Sequence, residues 1–153
     1  MVTAEQTGNT ALLALLQGIA DPEIPVVSIV DLGIVRAANI DEIVITPTYS
    51  GCPAMAAIEA EVRATLDAAG YASTRIRTML APAWTTDWMT QTAREALNGY
   101  GIAPPQAGAI VFPQCPQCAS RHTERLSEFG STACKALYRC LACREPFDYF
   151  KAL

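Results

Sequence analysis

Cysteines are the residues best suited to chemistry in this 153-residue sequence, and five of its six cysteines follow Gln114. Two Cys-x-x-Cys pairs, Cys115 with Cys118 and Cys140 with Cys143, are separated by 21 residues. Such a turn places both sulfurs on one side of a tight bend, and two turns supply the four thiolates of a tetrahedral zinc site. The spacing therefore predicts a zinc ribbon with these four ligands. A rubredoxin-like iron site is the main metal alternative, and redox-active cysteine pairs are the alternative without a metal.

Two further side chains near these pairs could bind a metal but have unsuitable spacing. Cys134 lies six residues before Cys140, and His122 is the only histidine of the chain. We interpret Cys134 as a structural thiol and His122 as a solvated or packed side chain. Ala119 and Arg144 follow the two pairs at positions where glycine commonly relieves the turn of a knuckle.

Cys52 is the single cysteine of the first hundred residues, and it precedes Pro53. Proline favours the first position of a helix, so Cys52 is expected at or beside the helix cap. The unpaired amides and the positive end of the helix dipole favour a thiolate there. A thiolate is suited to act as a nucleophile or as a ligand for a soft metal. The alternative is that Cys52 is a small buried hydrophobic residue.

Few other residues could assist Cys52 in a reaction. Asp31 is the best carboxylate candidate, and its alternative role is to form the turn before Leu32 and Gly33. His122 lies in the other part of the chain, so no Cys–His pair is expected in one domain. The sequence also lacks a Gly-rich phosphate loop, a Glu-x-x-His pair and a Ser-His-Asp set. An independent enzyme is therefore not expected.

The elements that must position these cysteines alternate between helical and strand patterns. Helices are expected from Asn9 or Thr10 to about Ile19, from Pro53 to the C′ residue Gly70, and from Thr85 or Thr86 to about Asn98. The last helix is expected to bury Trp88, Ala96 and Leu97. Strands are expected over residues 33–38, 43–47 and 74–80, the last with Ile76, Thr78 and Leu80 on one face. This order predicts an α+β fold in which helices pack on a small mixed sheet.

A segment rich in glycine and proline, NGYGIAPPQAG, begins at Asn98 and divides the chain. We therefore predict an α+β domain over residues 1–105 and a zinc-ribbon domain over residues 106–153. The first carries a net charge of −6 and the second +2, if its cysteines are counted as neutral. Four thiolates and Zn²⁺ would bring the second to about zero, so a nucleic-acid partner is not expected. Three aromatic residues are expected to pack over the ribbon or against the first domain, with a base-stacking surface next to Lys151 as the alternative: Phe147, Tyr149 and Phe150.

Hydropathy excludes two further classes of protein. The chain is 51% apolar, which is too high for a disordered chain. It has no run of about eighteen uncharged apolar residues, so no membrane span is expected. No basic leader precedes the apolar stretch from Ala11 to Ile19, and the expected compartment is the cytoplasm.

Two groups of motifs resemble one protein family. The segments DPEIPVVSIVDLGIVR, TPTYSGCPAM and APAWTTDWMT resemble the MIP18-type (DUF59) domain. The segment CPQCASRHTERLSEFGSTACKALYRCLACREPFDYFK resembles the extension of one branch of that family, the phenylacetate-degradation (PaaD) branch. The resemblance covers nearly the whole chain after Leu12.

This resemblance implies a role in aerobic phenylacetate catabolism. It implies an accessory or maturation protein, not an enzyme, of the phenylacetyl-CoA ring-1,2-epoxidase, a multicomponent monooxygenase. The protein would assist the insertion of iron or an iron–sulfur cluster into a partner subunit, foremost the iron–sulfur reductase. The alternative is a stable non-catalytic subunit of the epoxidase complex.

The resemblance also implies roles for particular residues. Cys52 occupies the family's GCP turn and would be the functional thiolate that holds iron or a cluster transiently. Asp31 matches the family's DLG turn and is the possible assisting carboxylate. Since one thiolate is a poor site for a soft metal, a homodimer that brings two copies of Cys52 together is a further expectation. Zn²⁺ at the four ribbon cysteines would be structural.

Overall fold

The computed structural model describes residues 7–106 and 112–152. The chain forms two compact units, Met1–Ala93 and Arg94–Leu153. The domain boundary expected after Pro105 stays a prediction. Among the described helices, none is both long enough and apolar enough to cross a membrane.

The first unit combines a four-stranded mixed sheet with helices, which confirms the predicted α+β class. The sheet order is β1-β2-β3-β4. Strand β1 is parallel to β2, β2 is antiparallel to β3, and β3 is parallel to β4. The elements in chain order are β1 Thr7–Gly8, α1 Thr10–Leu16, β2 Val35–Ala38, β3 Glu42–Ile45, α2 Ala54–Ala68 and β4 Arg75–Thr78.

The first two predicted helices form, although α1 ends at Leu16, before its predicted end at about Ile19. Asn9 caps α1, since its side-chain oxygen accepts hydrogen bonds from the N–H groups of Ala11 and Leu12. Helix α2 ends at Ala68, and the following Gly70 has φ +88°, as expected for a C′ glycine. The buried face of α2 is a stripe with a spacing of four residues: Ala54, Ile58, Val62 and Leu66.

The segment between α1 and β2 is turn-rich, as its two prolines predict. Within this segment, Asp21 is buried, and its Oδ1 accepts hydrogen bonds from the N–H groups of Glu23 and Ile24 at 2.8 and 3.0 Å. The segment buries its apolar side chains in the core of the first unit: Ile24, Val27, Ile29, Val30, Leu32 and Ile34.

The predicted helix from Thr85 or Thr86 to Asn98 is wrong as one continuous element. A short 3₁₀ turn covers Thr86–Trp88, and helix α3 covers Gln91–Gly99. The predicted helix is interrupted because Thr90 caps α3. Its Oγ1 accepts a hydrogen bond from the N–H of Ala93 at 3.1 Å. Of the three side chains expected to be buried, Leu97 is buried, whereas Trp88 and Ala96 are only half-buried.

The last predicted strand of the first unit is also shorter than expected, and it is largely exposed. Strand β4 covers only Arg75–Thr78. Ile76 is half-buried, Thr78 is exposed, and Leu80 lies beyond the strand with 60% of its surface exposed. Ile76 and Thr78 are two residues apart in β4 and share one face as predicted, whereas the predicted extension of the strand to Leu80 is wrong. In the sheet that the structure describes, β4 lies at the edge, next to β3.

The second unit contains part of α3 and a four-stranded sheet of order β5-β8-β7-β6. Strand β5 is parallel to β8, and the other neighbours are antiparallel. Tyr138 stacks on Phe147 and meets Tyr149 edge-on, with ring centroids 5.9 and 5.6 Å apart. Phe150 is also buried, so the predicted packing of these aromatic residues is confirmed. The strands are β5 Ile102–Ala103, β6 Thr123–Ser127, β7 Lys135–Cys140 and β8 Pro146–Phe150.

Candidate metal centre and thiol site

The four cysteines of the two Cys-x-x-Cys pairs come together in the second unit. Their Sγ atoms all lie within 4.8 Å of one another. Cys115 Sγ lies 3.7 Å from Cys143 Sγ, and Cys118 Sγ lies 3.5 Å from Cys140 Sγ. Four sulfurs at about 2.3 Å from a central zinc ion would be about 3.8 Å apart, so the cluster has the dimensions of a tetrahedral thiolate site.

Two turns of matching geometry build this cluster. In the first, the N–H of Ala119 donates to the carbonyl of Cys115 at 2.9 Å, and in the second the N–H of Arg144 donates to the carbonyl of Cys140 at 3.0 Å. Ala119 has φ +64° and Arg144 has φ +72°, in the left-handed region that favours glycine. Both knuckles thus form without glycine, at the expense of some backbone strain.

Hydrogen bonds and burial shift the pKa values of the two thiols of the second pair in opposite directions. The backbone N–H of Cys143 donates to Cys140 Sγ at 3.5 Å and is the largest cause of a pKa lowered to about 6 for Cys140. At Cys143 the backbone hydrogen bond from Glu145 lowers the pKa, but burial and the neighbouring sulfurs outweigh it and raise the pKa to about 12. Four charged sulfurs therefore need a central cation, and the closed four-sulfur set suits a structural metal.

The other candidate ligands of the second unit lie outside this cluster. Cys134 is buried, and its Sγ lies 3.0 Å from the hydroxyl oxygen of Thr132. His122 is exposed, and its backbone carbonyl accepts a hydrogen bond from the N–H of Leu141. Neither side chain is among the four that meet.

Cys52 lies in the turn that leads into α2. Its N–H donates to the carbonyl of Tyr49 and its carbonyl accepts from the N–H of Met55, both at 3.2 Å. Pro53 is the N-cap residue, so the helix begins one residue later than expected and Cys52 lies directly before the cap. Among the described side chains none caps α2, and its first turn has no acidic residue. Cys52 is half-buried as a residue.

Asp31 connects three segments of the first unit. One carboxylate oxygen accepts a hydrogen bond from the side chain of Gln17, and the other accepts from the hydroxyl of Thr90 at 3.1 Å. The carbonyl of Asp31 also accepts from the N–H of Thr90, and its N–H donates to Ser28 Oγ. In the described part of the chain no hydrogen bond joins Asp31 to Cys52. These contacts favour the turn-forming role, and assistance to Cys52 stays a prediction.

A contact beside this turn was not predicted from the sequence: Arg36 lies over the indole ring of Trp88. The signal that could have revealed it is a charged residue in the otherwise apolar strand that follows DLG. Gly33 lets the Trp88 segment approach, since a Cβ on Gly33 would lie 2.7 Å from Trp88 Cβ.

An α+β unit with a lone thiol, joined to a four-cysteine ribbon, matches two family models in the same order. Residues 9–76 match the model described as iron–sulfur cluster assembly protein, and residues 107–151 match the PaaD zinc beta ribbon domain. A protein of Escherichia coli, named as a putative subunit of the 1,2-phenylacetyl-CoA epoxidase, is 53% identical over 151 residues, covering 92% of this chain and 90% of that protein. The chain therefore belongs to the PaaD family.

Two further proteins resemble part of the chain. The Fe-S protein maturation auxiliary factor YitW of Bacillus subtilis is 35% identical over 100 residues, covering 61% of this chain and 97% of YitW. The crystal structure of a DUF59 domain from Bacillus anthracis matches with a TM-score of 0.52 and 30% identity, covering 57% of this chain and 88% of that one. These matches confirm the predicted DUF59-like fold.

Proposed function

We propose that this chain is an accessory maturation protein of the 1,2-phenylacetyl-CoA epoxidase system, and that it helps to insert iron or an iron–sulfur cluster into a partner subunit. The observation that carries this proposal is the union of an iron–sulfur-assembly domain with a PaaD ribbon in one chain. The relatives support it, since one is named as a subunit of the epoxidase and another as a maturation factor for Fe-S proteins.

Cys52 is the proposed point of transfer. Cys52 is a half-buried residue, and it precedes a helix start where neither a side-chain cap nor an acidic side chain of the first turn competes for the first amides. The thiolate is the form of cysteine that binds iron. One sulfur leaves the remaining coordination positions of the metal to other donors, as transfer requires. These donors would come from a second copy of Cys52 in a homodimer or from the partner.

The ribbon is proposed to hold Zn²⁺ rather than iron and to serve as a rigid docking module. Its four sulfurs form a closed set that leaves no position for a substrate. The epoxidase subunits are the proposed partners, foremost the iron–sulfur reductase, and the cytoplasm is the proposed compartment. The chain itself is proposed not to be a catalyst.

The test is complementation in cells that grow on phenylacetate, comparing Cys52→Ser with Ser50→Ala. Ser50 is an exposed residue of the same turn, so its variant controls for disturbance of the loop. We expect Cys52→Ser to abolish growth and to lower the iron and sulfide content of the purified reductase, and Ser50→Ala to leave both unchanged. Normal growth with a normal cluster content in the Cys52→Ser strain would remove Cys52 from the mechanism.

A second candidate function, a stable non-catalytic subunit, is favoured by the name of the E. coli relative. The two functions differ in when the protein is needed. An assay of fully metallated epoxidase subunits with and without this chain separates them. Unchanged turnover without the chain supports maturation, and lost turnover supports a working subunit.

A further inference from the structure

Arg36 holds an unusual position in the first unit. Strand β2 pairs Val35 with Ile45 and Ala37 with Val44, so Arg36 is an extra residue in a β-bulge. A bulge redirects a side chain away from its regular place on the sheet. Here the guanidinium carbon lies 3.4 Å from the centroid of the Trp88 ring, which is the geometry of a cation–π stack.

The stacking partner is itself held in place. A side chain on Gly33 would collide with both the Cβ and the carbonyl oxygen of Trp88, so the two segments are in close contact. Two residues later, Thr90 is hydrogen-bonded to Asp31 through its hydroxyl and its N–H. The stack therefore fixes the guanidinium in one orientation, which reduces the entropy that a ligand must overcome.

The charge of Arg36 has no counter-charge in the described part of the chain. Its Nε is buried and has no hydrogen-bond partner. The three ion pairs found there join other residues: Arg63 with Asp67, Arg77 with Glu42, and Arg139 with Glu124. Burial also lowers the pKa of Arg36, because desolvation disfavours its charged form. A partly desolvated cation without an anion is unfavourable, and a bound anion would relieve it.

We propose that Arg36 and Trp88 form a docking site for a carboxylate, supplied by an acidic side chain of a protein partner. The planar guanidinium presents paired N–H donors whose geometry matches a carboxylate. Tryptophan and arginine are also the residue types that most often carry the binding energy of protein interfaces. The identity of the partner as an epoxidase subunit rests on the proposed function, whereas the carboxylate chemistry does not.

The chemistry is tested by NMR titration of the full chain with sodium acetate, against sodium chloride at equal ionic strength. The reporters are the Arg36 Nε–H and the Trp88 indole N–H. The indole N–H of Trp84, which donates to the carbonyl of Leu32 in the core, is the internal control. We expect saturable acetate-specific shifts at Arg36 and Trp88 but not at Trp84. Arg36→Lys should weaken acetate binding about fivefold, because lysine keeps the charge and loses the fork. Equal effects of acetate and chloride, or unchanged binding by Arg36→Lys, would overturn the proposal.

The source of the carboxylate is tested by the affinity of the full chain for the purified epoxidase subunits. We expect Arg36→Met to weaken association about tenfold, and Arg77→Met to leave it unchanged, since Arg77 is an exposed arginine of the same sheet that already has Glu42 as partner. The melting temperature of Arg36→Met should not fall, because an apolar side chain replaces an unpaired cation. A fall in melting temperature that accounts for the lost binding would show a structural role and overturn the proposal.

The outcomes also separate this site from the proposed function. If the wild-type chain binds no epoxidase subunit, both fail. If wild type and Arg36→Met bind equally well, the docking site is refuted while maturation through Cys52 stands.

Discussion

The ribbon cysteines and Cys52 show two different ways for a chain to present sulfur. In the ribbon, each knuckle is fixed by hydrogen bonds between residues two to four positions apart, and four sulfurs meet in a closed set. Cys52 supplies a single sulfur, on a half-buried residue that directly precedes the N-cap of α2. A closed set holds its metal and stabilises the fold, whereas a single sulfur can release what it binds. Removing the metal should therefore affect only the ribbon. A single substitution in either unit should affect only the unit in which it lies.

Metal removal should have the largest effect, and it should be confined to the ribbon. Structural zinc sites contribute on the order of 10 kcal/mol to folding, more than a unit of this size obtains from its apolar core. We expect a strong chelator to collapse the amide NMR signals of residues 112–152 and to leave those of residues 7–93 dispersed. A ribbon that keeps its dispersed signals after complete metal loss would contradict this.

Gly33, in the turn next to Asp31, should be a sensitive glycine position of the first unit. In Gly33→Ala the new Cβ would meet Trp88 at 2.7 Å at a residue with φ +87°. Strain and overpacking together should lower the free energy of unfolding by about 3 kcal/mol. Gly51→Ala is the matched control, since Gly51 has φ +77° but no atom within 4 Å of the new Cβ, and it should lose only about 1 kcal/mol. Equal losses in urea denaturation would show that the contact with Trp88 contributes nothing.

Asp31→Ala distinguishes a carboxylate that holds the turn in place from one that assists the chemistry of Cys52. It removes the acceptors of Gln17 and Thr90, so the free energy of unfolding should fall by about 2 kcal/mol. Asp87→Ala, at an exposed residue in the 3₁₀ turn, should change it by less than about 0.5 kcal/mol. An Asp31→Ala protein that is fully stable but fails to support growth on phenylacetate would instead place Asp31 in the chemistry of Cys52.

The knuckle positions should give the smallest effect, and its sign is stabilising. Ala119→Gly and Arg144→Gly relieve a positive φ in each turn, and each should raise the stability of the metal-bound ribbon by about 0.5–1 kcal/mol. Ala142→Gly, in the same turn without a positive φ, should not stabilise it. Thermal unfolding measures all three. A loss of stability in both knuckle variants would show that the turns are not strained.

The parts of the molecule that the sequence predicts well are those with local causes. The Cys-x-x-Cys spacing predicts which four sulfurs meet, because each pair is placed by its own turn. The stripe from Ala54 to Leu66 likewise predicts α2, and Asn9 and Gly70 predict the ends of two helices.

The features that the sequence does not predict depend on contacts between distant segments. The helix expected through Trp88 breaks because Thr90 bonds both to Asp31, 59 residues earlier, and to the start of α3. The place of β4 at the sheet edge depends on how distant strands pair, which no pattern within residues 74–80 reveals. The stack of Arg36 on Trp88 depends on a register shift between β2 and β3.

The central claim, that Cys52 and the ribbon bind metal for different purposes, is tested most directly by metal and sulfide analysis of protein purified without oxygen. The comparison is between wild type and Cys52→Ser. We predict one zinc ion per chain in both, held by the four ribbon cysteines, and iron with or without sulfide only in the wild type. Equal iron contents in both proteins, or none in wild type even after incubation with ferrous iron and sulfide, would contradict the claim.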